Sequence, residues 1–318
     1  MPFEAKKFIE KSVPGIQAQI GKEHAIIAVS GGVDSAVAAL LVAKAIGNNL
    51  TAVFVDTGLM RKNEGANVKK AMHGAGIPLK VVDAREEFFS ALKGAVEPEA
   101  KRKIIGRQFI RVFEREAKAA KAKFLVQGTI APDWIESGGA GREKIKSHHN
   151  VGGLPDKMHL TLCEPLRDCY KHEVRMLARE LGLPPAIAER QPFPGPALAV
   201  RIVGEVTPEK ADIAREACAI VEEEIERAAA LGEIEKPWQY FAALLDSKTV
   251  GVRGDERSYK YVVAVRSVRS LDGMTANYSQ LPHPLLAKIS TRITNEIREV
   301  GRVLYDITNK PPATVEME

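Results

Sequence analysis

Ser30-Gly31-Gly32-Val33-Asp34-Ser35 carries the clearest chemistry in this chain of 318 residues. It follows a short apolar run, Ala25-Ile-Ile-Ala-Val29, and opens a helical one, Ala36 to Ile46. A buried strand, a glycine turn and a helix start together make a phosphate site. Two glycines let the backbone approach a ligand, and the helix start offers unpaired N–H donors at a positive dipole end. The plainer alternative is an ordinary strand-to-helix turn, with Ser30 or Asp34 as the cap. No Gly-Lys-Ser/Thr follows at the spacing of a Walker A loop. Asp34 in the first helical turn could hold Mg²⁺ bridging phosphates, or simply favour the helix N-terminus by about 0.5–1 kcal/mol.

Three further groups could act with this loop. Asp133 and Glu136 stand three apart, on one face if that stretch is helical. Lys144, Lys146, His148 and His149 cluster in a polar stretch flanked by Ser137-Gly-Gly-Ala-Gly141 and Val151-Gly-Gly-Leu-Pro155. A long glycine-flanked loop of this kind is expected to be a lid. Its lysines could neutralise charge building on a leaving phosphate, and its histidines could move protons or remain surface residues. At the far end, Lys310 and Glu316 flank a stretch stiffened by Pro311-Pro312. A cation and an acid six residues apart could hold a phosphate and a base amine; an ordinary ordered terminus is the alternative.

Repeated strand–helix units must position these groups. Ala25–Val29, Leu50–Asp56, Pro78–Asp83 and Lys123–Gly128 read as buried strands, apolar rather than alternating. Helical runs lie near residues 63–74, 86–94 and 99–121. This alternation predicts an α/β fold with a doubly wound parallel sheet, whose ligands bind at the carboxyl ends of the strands. Ser30–Ser35, Asp56–Gly58 and Gln127–Thr129 all fall at such ends. Gln191-Pro-Phe-Pro-Gly-Pro196 is the natural joint. It divides the chain into domains at 1–191 and 192–318. Beyond it, Thr207 caps a helix with Pro208 at its first position, running to about Ala230. Strands Tyr240–Leu245, Lys248–Val252 and Tyr259–Val268 then come without intervening helices. A helix near Leu285–Glu299 and a strand Arg302–Ile307 complete a smaller α+β domain. A small sheet with an open face suits dimerisation.

Composition narrows the class. Hydrophobic residues are 45% and charged residues 27%, ordinary for a soluble globular chain. No apolar run approaches the roughly 18 residues of a membrane span, and the N-terminus lacks a signal core. Three cysteines suit a reducing cytoplasm and no disulfide framework. No Cys-x-x-Cys pair offers zinc ligands. The net charge of +5 reads mostly as a lysine-rich solvated surface. Its basic runs are not interleaved with aromatics as a single-strand binder would need, so neither nucleic acid nor membrane is expected as a partner.

Ser30–Ser35 resembles the pyrophosphate loop of the ATP pyrophosphatase superfamily. That loop, Gln127-Gly-Thr-Ile-Ala-Pro-Asp133, Lys146-Ser-His-His-Asn-Val-Gly-Gly-Leu-Pro155, Pro192-Phe-Pro-Gly-Pro196 and Lys310-Pro-Pro-Ala-Thr-Val-Glu316 together resemble GMP synthetase, in order along the chain. The resemblance implies an adenine nucleotide alpha hydrolase-like domain followed by a dimerisation and xanthosine monophosphate (XMP)-binding domain. It implies a C–N bond-forming ligase that uses ATP and Mg²⁺, adenylates XMP at O2, releases pyrophosphate and aminates the intermediate to GMP. Ser30, Gly31, Gly32, Val33, Asp34, Ser35 and Gly128 would hold ATP and pyrophosphate, with Asp34 on Mg²⁺. Asp34, Lys144, Lys146, His148 and His149 would serve catalysis. Arg102, Lys310 and Glu316 would contact XMP, to which Asp133 and Glu136 are also assigned. The chain ends Glu316-Met-Glu318 where many relatives end Glu-Trp-Glu, which leaves the terminal packing open. The loop begins about thirty residues in, so an N-terminal glutamine amidotransferase domain is not expected. The chain resembles instead the separate ATP pyrophosphatase subunit of a two-subunit enzyme, fed ammonia by a partner glutaminase.

Overall fold

The structure, a computed structural model, describes residues 3–136, 160–253, 256–271 and 273–318. The chain divides into two compact units. One comprises Met1–Thr57, Asn63–Ala84 and Gly106–Arg190. The other comprises Gly58–Lys62, Arg85–Ile105 and Gln191–Glu318. The C-terminal unit thus begins at Gln191, beside the proline-rich joint, and also takes in two short pieces of the first half.

The first unit opens with helix α1 (Ala5–Ile20), which accommodates Pro14 and which no motif announces. Strand β1 (Ala25–Ala28) is short, apolar and almost fully buried. It feeds helix α2 (Val33–Ile46), whose residues Ala36 to Val42 are all buried. A helix apolar on all sides is a core helix. Strand β2 (Leu50–Asp56), helix α3 (Glu64–Gly74) and strand β3 (Leu79–Asp83) follow. Helix α4 (Arg85–Leu92) and the start of α5 (Pro98–Ala119) belong to the other unit, and the rest of α5 leads to strand β4 (Phe124–Val126). Helix α6 (Ala131–Glu136), strand β5 (Thr161–Cys163), helix α7 (Lys171–Glu180) and the single turn α8 (Pro185–Ala188) complete the described elements of this part.

The five strands form one parallel sheet in the order β3-β2-β1-β4-β5. Helices α1, α2 and α7 pack on one another, and α3 packs on β3. This is the doubly wound arrangement that the strand–helix alternation predicts. The order in which strands are added reverses between β1 and β4, which pair in parallel with Ile27 opposite Val126. Ligands in such sheets bind at that reversal, beyond the carboxyl ends of the strands. The Ser30–Ser35 loop and Gly128 leave those two neighbouring strand ends.

The C-terminal unit contains the long helix α9 (Pro208–Ala230), capped by the Thr207 hydroxyl, which accepts from the Lys210 N–H at 3.2 Å. Strand β6 (Gln239–Arg253) pairs antiparallel with β7 (Glu256–Arg269). The two strands expected at Tyr240–Leu245 and Lys248–Val252 are one strand, with a register shift between Leu245 and Lys248. A bulge absorbs the polar Asp246-Ser247 without ending the ladder. Strand β8 (Asn277–Tyr278) pairs with the end of β7. Helix α10 (His283–Glu296) precedes β9 (Val300–Asp306), which joins β7 in parallel. Helix α9 packs on β6, and α10 packs on α9 and β9. At the free end of the hairpin, Val250 and Tyr259 face each other in register and are exposed, as is Val252. Among the described residues, no helix is long and apolar enough to cross a membrane.

Candidate functional site

The backbone between β1 and α2 turns through Gly31 at φ +85°. The loop is tied by its own hydroxyls. Ser30 N donates to Ser35 Oγ at 3.2 Å, and Ser35 Oγ donates to the Gly32 carbonyl at 3.1 Å. Neither Ser30 nor Asp34 caps α2: the helix start carries no side-chain cap hydrogen bond. Its first-turn N–H groups therefore face the loop without a side-chain acceptor, as an anion site requires.

Two glycines are needed here for space. A Cβ at Gly31 would stand 2.2 Å from Glu64 Oε1. Glu64, on the first turn of α3, is buried and gripped by both Arg190 Nη atoms at 2.6 and 2.5 Å. A Cβ at Gly128 would stand 2.9 Å from the Asp34 carbonyl carbon and 3.0 Å from Ser35 N. The end of β4 thus lies against the backbone of the loop, and only glycine permits it. Val33 contributes backbone alone, its side chain being buried in the core.

Asp34 is half-buried. Its Oδ2 accepts from Lys171 Nζ at 2.5 Å, while its Oδ1 is buried and has no hydrogen-bond partner among the described residues. An orphaned carboxylate oxygen at a phosphate-type loop fits a hard divalent cation. The described residues hold no group of three or more His, Cys, Asp or Glu able to cage a metal. Among the described residues, Asp34 is the one that would hold such an ion. Nearby in sequence, Asp133 Oδ2 accepts from Ile130 N at 2.9 Å, a capping contact across the first turn of α6. Glu136 is the last residue of that helix, so the two acids do share a helix. Lys144, Lys146, His148 and His149 lie outside the described residues.

The remaining candidates belong to the other unit. Arg102, on α5, donates weakly to Glu99 at 3.4 Å. Lys310 pairs with Ala276 through its backbone and donates its Nζ to the Gly273 carbonyl at 2.7 Å. The Lys310–Pro311 and Pro311–Pro312 bonds are both cis. Glu316 accepts from Arg201 Nε and Nη2, each at 3.0 Å, and from Gln239 Nε2 at 2.6 Å. Arg201 is fully buried. Burial alone would lower its pKa, but the Glu316 carboxylate outweighs that and keeps the guanidinium charged. Two more buried cations grip the same tail. Arg266 donates to the carbonyls of Thr308, Thr314 and Val315 at 2.7–2.9 Å and to Asp306 at 2.6 Å. Lys101 donates to Glu318 and to the Ile202 carbonyl, and burial lowers its pKa despite Glu318. The packing of the Glu316-Met-Glu318 terminus is therefore a set of ion pairs. Phe193 of the proline-rich joint lies against two guanidinium groups, Arg61 at 4.2 Å and Arg201 at 4.9 Å from its ring centre.

Glu64, Arg190, Lys171, Arg201, Arg266 and Lys101 are not marked by any motif. A charge in sequence does not name its partner, and nothing in the neighbouring residues sets these six apart.

A five-stranded parallel sheet with a glycine loop at its reversal, followed by a C-terminal sheet domain, defines an α/β protein with an ATP pyrophosphatase-like fold. Two family models agree: residues 24–123 match the phosphoadenosine phosphosulfate reductase domain, and residues 223–317 match the GMP synthase C terminal domain. Across 314 residues the chain is 61% identical to a protein of Pyrococcus abyssi named as one subunit of GMP synthase (glutamine-hydrolyzing), covering 98% of this chain and 99% of that one. It is 57% identical over 317 residues to the protein of the same name in Methanopyrus kandleri, covering 99% and 100%. The chain belongs to this family of GMP synthase subunits. A GMP synthase (glutamine-hydrolyzing) of Thermotoga petrophila is 55% identical, and the match covers 98% of this chain but 62% of that longer one. Among solved structures, the NMN synthetase of Francisella tularensis is similar at 18% identity and a TM-score of 0.48, covering 66% of this chain and 85% of that one.

Proposed function

We propose that this chain is the synthetase component of a two-subunit GMP synthase. It would use ATP to adenylate O2 of XMP, releasing pyrophosphate. Ammonia from a separate glutaminase would then displace AMP at C2 to give GMP. The observation that carries this reading is identity of 57–61% along nearly the whole chain to proteins named as a subunit of GMP synthase.

The glycine turn, the unpartnered Asp34 oxygen and the held Glu316 carboxylate support roles for those residues, and the remaining roles rest on the family resemblance. Ser30, Gly31, Gly32, Val33, Ser35 and Gly128 form a cradle for the departing pyrophosphate, lined by backbone N–H groups. Asp34 would hold Mg²⁺, which when bound neutralises phosphate charge. Lys144 and Lys146 would add positive charge, with His148 and His149 as proton carriers or donors. Arg102 and Lys310 would take the XMP phosphate and Glu316 the base, with Asp133 and Glu136 assisting. Arg201 and Gln239 leave Glu316 little freedom, so it would meet the base as a fixed acceptor. The 192–318 domain would bind XMP and form a homodimer, which the exposed Val250, Val252 and Tyr259 favour. A cytoplasmic location suits the chemistry.

Purified chain with Mg-ATP, XMP and ammonium should yield AMP, pyrophosphate and GMP, followed by ³¹P resonance. Absence of all three products would overturn the reading. Robust glutamine-dependent turnover without a partner would overturn the two-subunit assignment.

A further inference from the structure

Lys171 is the first residue of α7, and α7 packs against α2. Its Nζ sits 2.5 Å from Asp34 Oδ2, while Asp34 Oδ1 is buried and unpartnered among the described residues. The carboxylate is thus neutralised on one oxygen and left without a partner on the other, in the first turn of the helix that follows the glycine turn. Lys171 is half-exposed, so its ammonium retains access to water and can turn away on its flexible stem.

Phosphates arriving at this loop would meet a carboxylate, which repels them. Something positive must stand between the two, and two cations compete for that place: Lys171 and a divalent metal. Resting on the proposed nucleotide site, we infer that Lys171 is a placeholder cation for Asp34. With the loop empty, it neutralises the carboxylate and keeps the loop in its anion-ready shape. With metal and phosphate bound, Asp34 would hold the metal and the Lys171 ammonium would turn from the carboxylate to a phosphate oxygen. Asp34 is opposed by a cation in both states, and no covalent bond is made or broken. Lys171 is accordingly a positioning residue that sets how much Mg²⁺ is needed to load the site.

The test uses the full chain and inorganic pyrophosphate as the probe. Pyrophosphate affinity is titrated calorimetrically over a range of Mg²⁺ concentrations for the natural protein, Lys171→Met, Lys171→Arg and Asp34→Asn. Lys171→Met removes the competitor, so the Mg²⁺ concentration for half-maximal affinity should fall roughly three- to fivefold, the range for a half-exposed ion pair. Metal-free pyrophosphate binding should weaken in the same variant, because Asp34 then repels the anion unopposed. Lys171→Arg should keep the natural midpoint, and Asp34→Asn should flatten the Mg²⁺ dependence. An unchanged or raised midpoint in a folded Lys171→Met protein would overturn the inference. Failure of the natural protein to make GMP, with the midpoint shift intact, would instead count against the proposed reaction alone.

Discussion

Arg201 and Glu316 meet through two parallel hydrogen bonds of 3.0 Å, although 115 residues separate them. Arg201 lies just after the proline-rich joint, and Glu316 lies in the tail that carries Lys310. A two-bonded fork fixes both the position and the plane of the carboxylate. The buried arginine therefore sets where the last residues of the chain run, with Arg266 holding the backbone before Glu316 and Lys101 the Glu318 side chain after it.

Removing one partner of such a buried pair strands the other charge. Glu316→Gln should cost about 3 kcal/mol of stability by urea unfolding and should raise KM for XMP more than it lowers kcat. A cost below about 1 kcal/mol would mean that Arg201 is well satisfied without its partner. Lys101 and Glu318 make a comparable pair, so Glu318→Gln should destabilise too, with little effect on ATP affinity.

The close approach of β4 to the loop makes Gly128 the sharpest steric test. A Cβ there meets backbone at 2.9–3.0 Å, which a side chain cannot relieve by turning. Gly128→Ala should displace the first turn of α2 and weaken pyrophosphate binding about tenfold or more, equivalent to ~1.4 kcal/mol. Calorimetry with Mg-pyrophosphate decides this, and natural affinity in the variant would show that the loop yields freely.

Asp34→Asn keeps the shape of the side chain and removes its charge. Pyrophosphate release from ATP and XMP should fall at least about tenfold, a barrier rise of ~1.4 kcal/mol. The melting temperature should stay within about 3 °C, since a half-exposed ion pair is worth at most ~1 kcal/mol. Undiminished release would remove Asp34 from the reaction.

Burial pushes the thiol of Cys163 up to about 11 and that of Cys169 up to about 12. Both are almost fully covered. The reactive thiolate is therefore absent from the folded chain at neutral pH. Neither cysteine should react with iodoacetamide at pH of about 7.5 until the protein is unfolded, as mass spectrometry would show. The sign of the stability effect follows. Above pH of about 8.5 the unfolded thiols ionise while the folded ones stay protonated, so stability should decline from there towards about 11.

The sequence by itself determined what short-range pattern can encode. Apolar runs without alternation specify buried parallel strands, and Ser30-Gly-Gly-Val-Asp-Ser35 specifies a glycine turn from strand into helix. Thr207-Pro208 marks the start of α9 to the residue. Each of these depends on neighbours in the chain. Where local pattern is ambiguous, boundaries move: Asp246-Ser247 reads as a break but is a bulge in β6, because the β7 ladder holds on either side. Helix α1 carries no chemistry-bearing pattern to mark it.

The tertiary structure alone decided which charges meet. Lys171 and Asp34 are 137 residues apart, and Arg190 and Glu64 are 126 apart. An ion pair depends on distance in space, falling off over a few ångströms, and a run of sequence does not state that distance. Glycine shows the same division. The sequence places Gly31 and Gly128, but only the packing shows Gly31 making room for a buried Glu64–Arg190 pair and Gly128 for the backbone of Asp34 and Ser35. The motif names the site, and long-range packing decides how rigidly it is held and which cation attends its carboxylate.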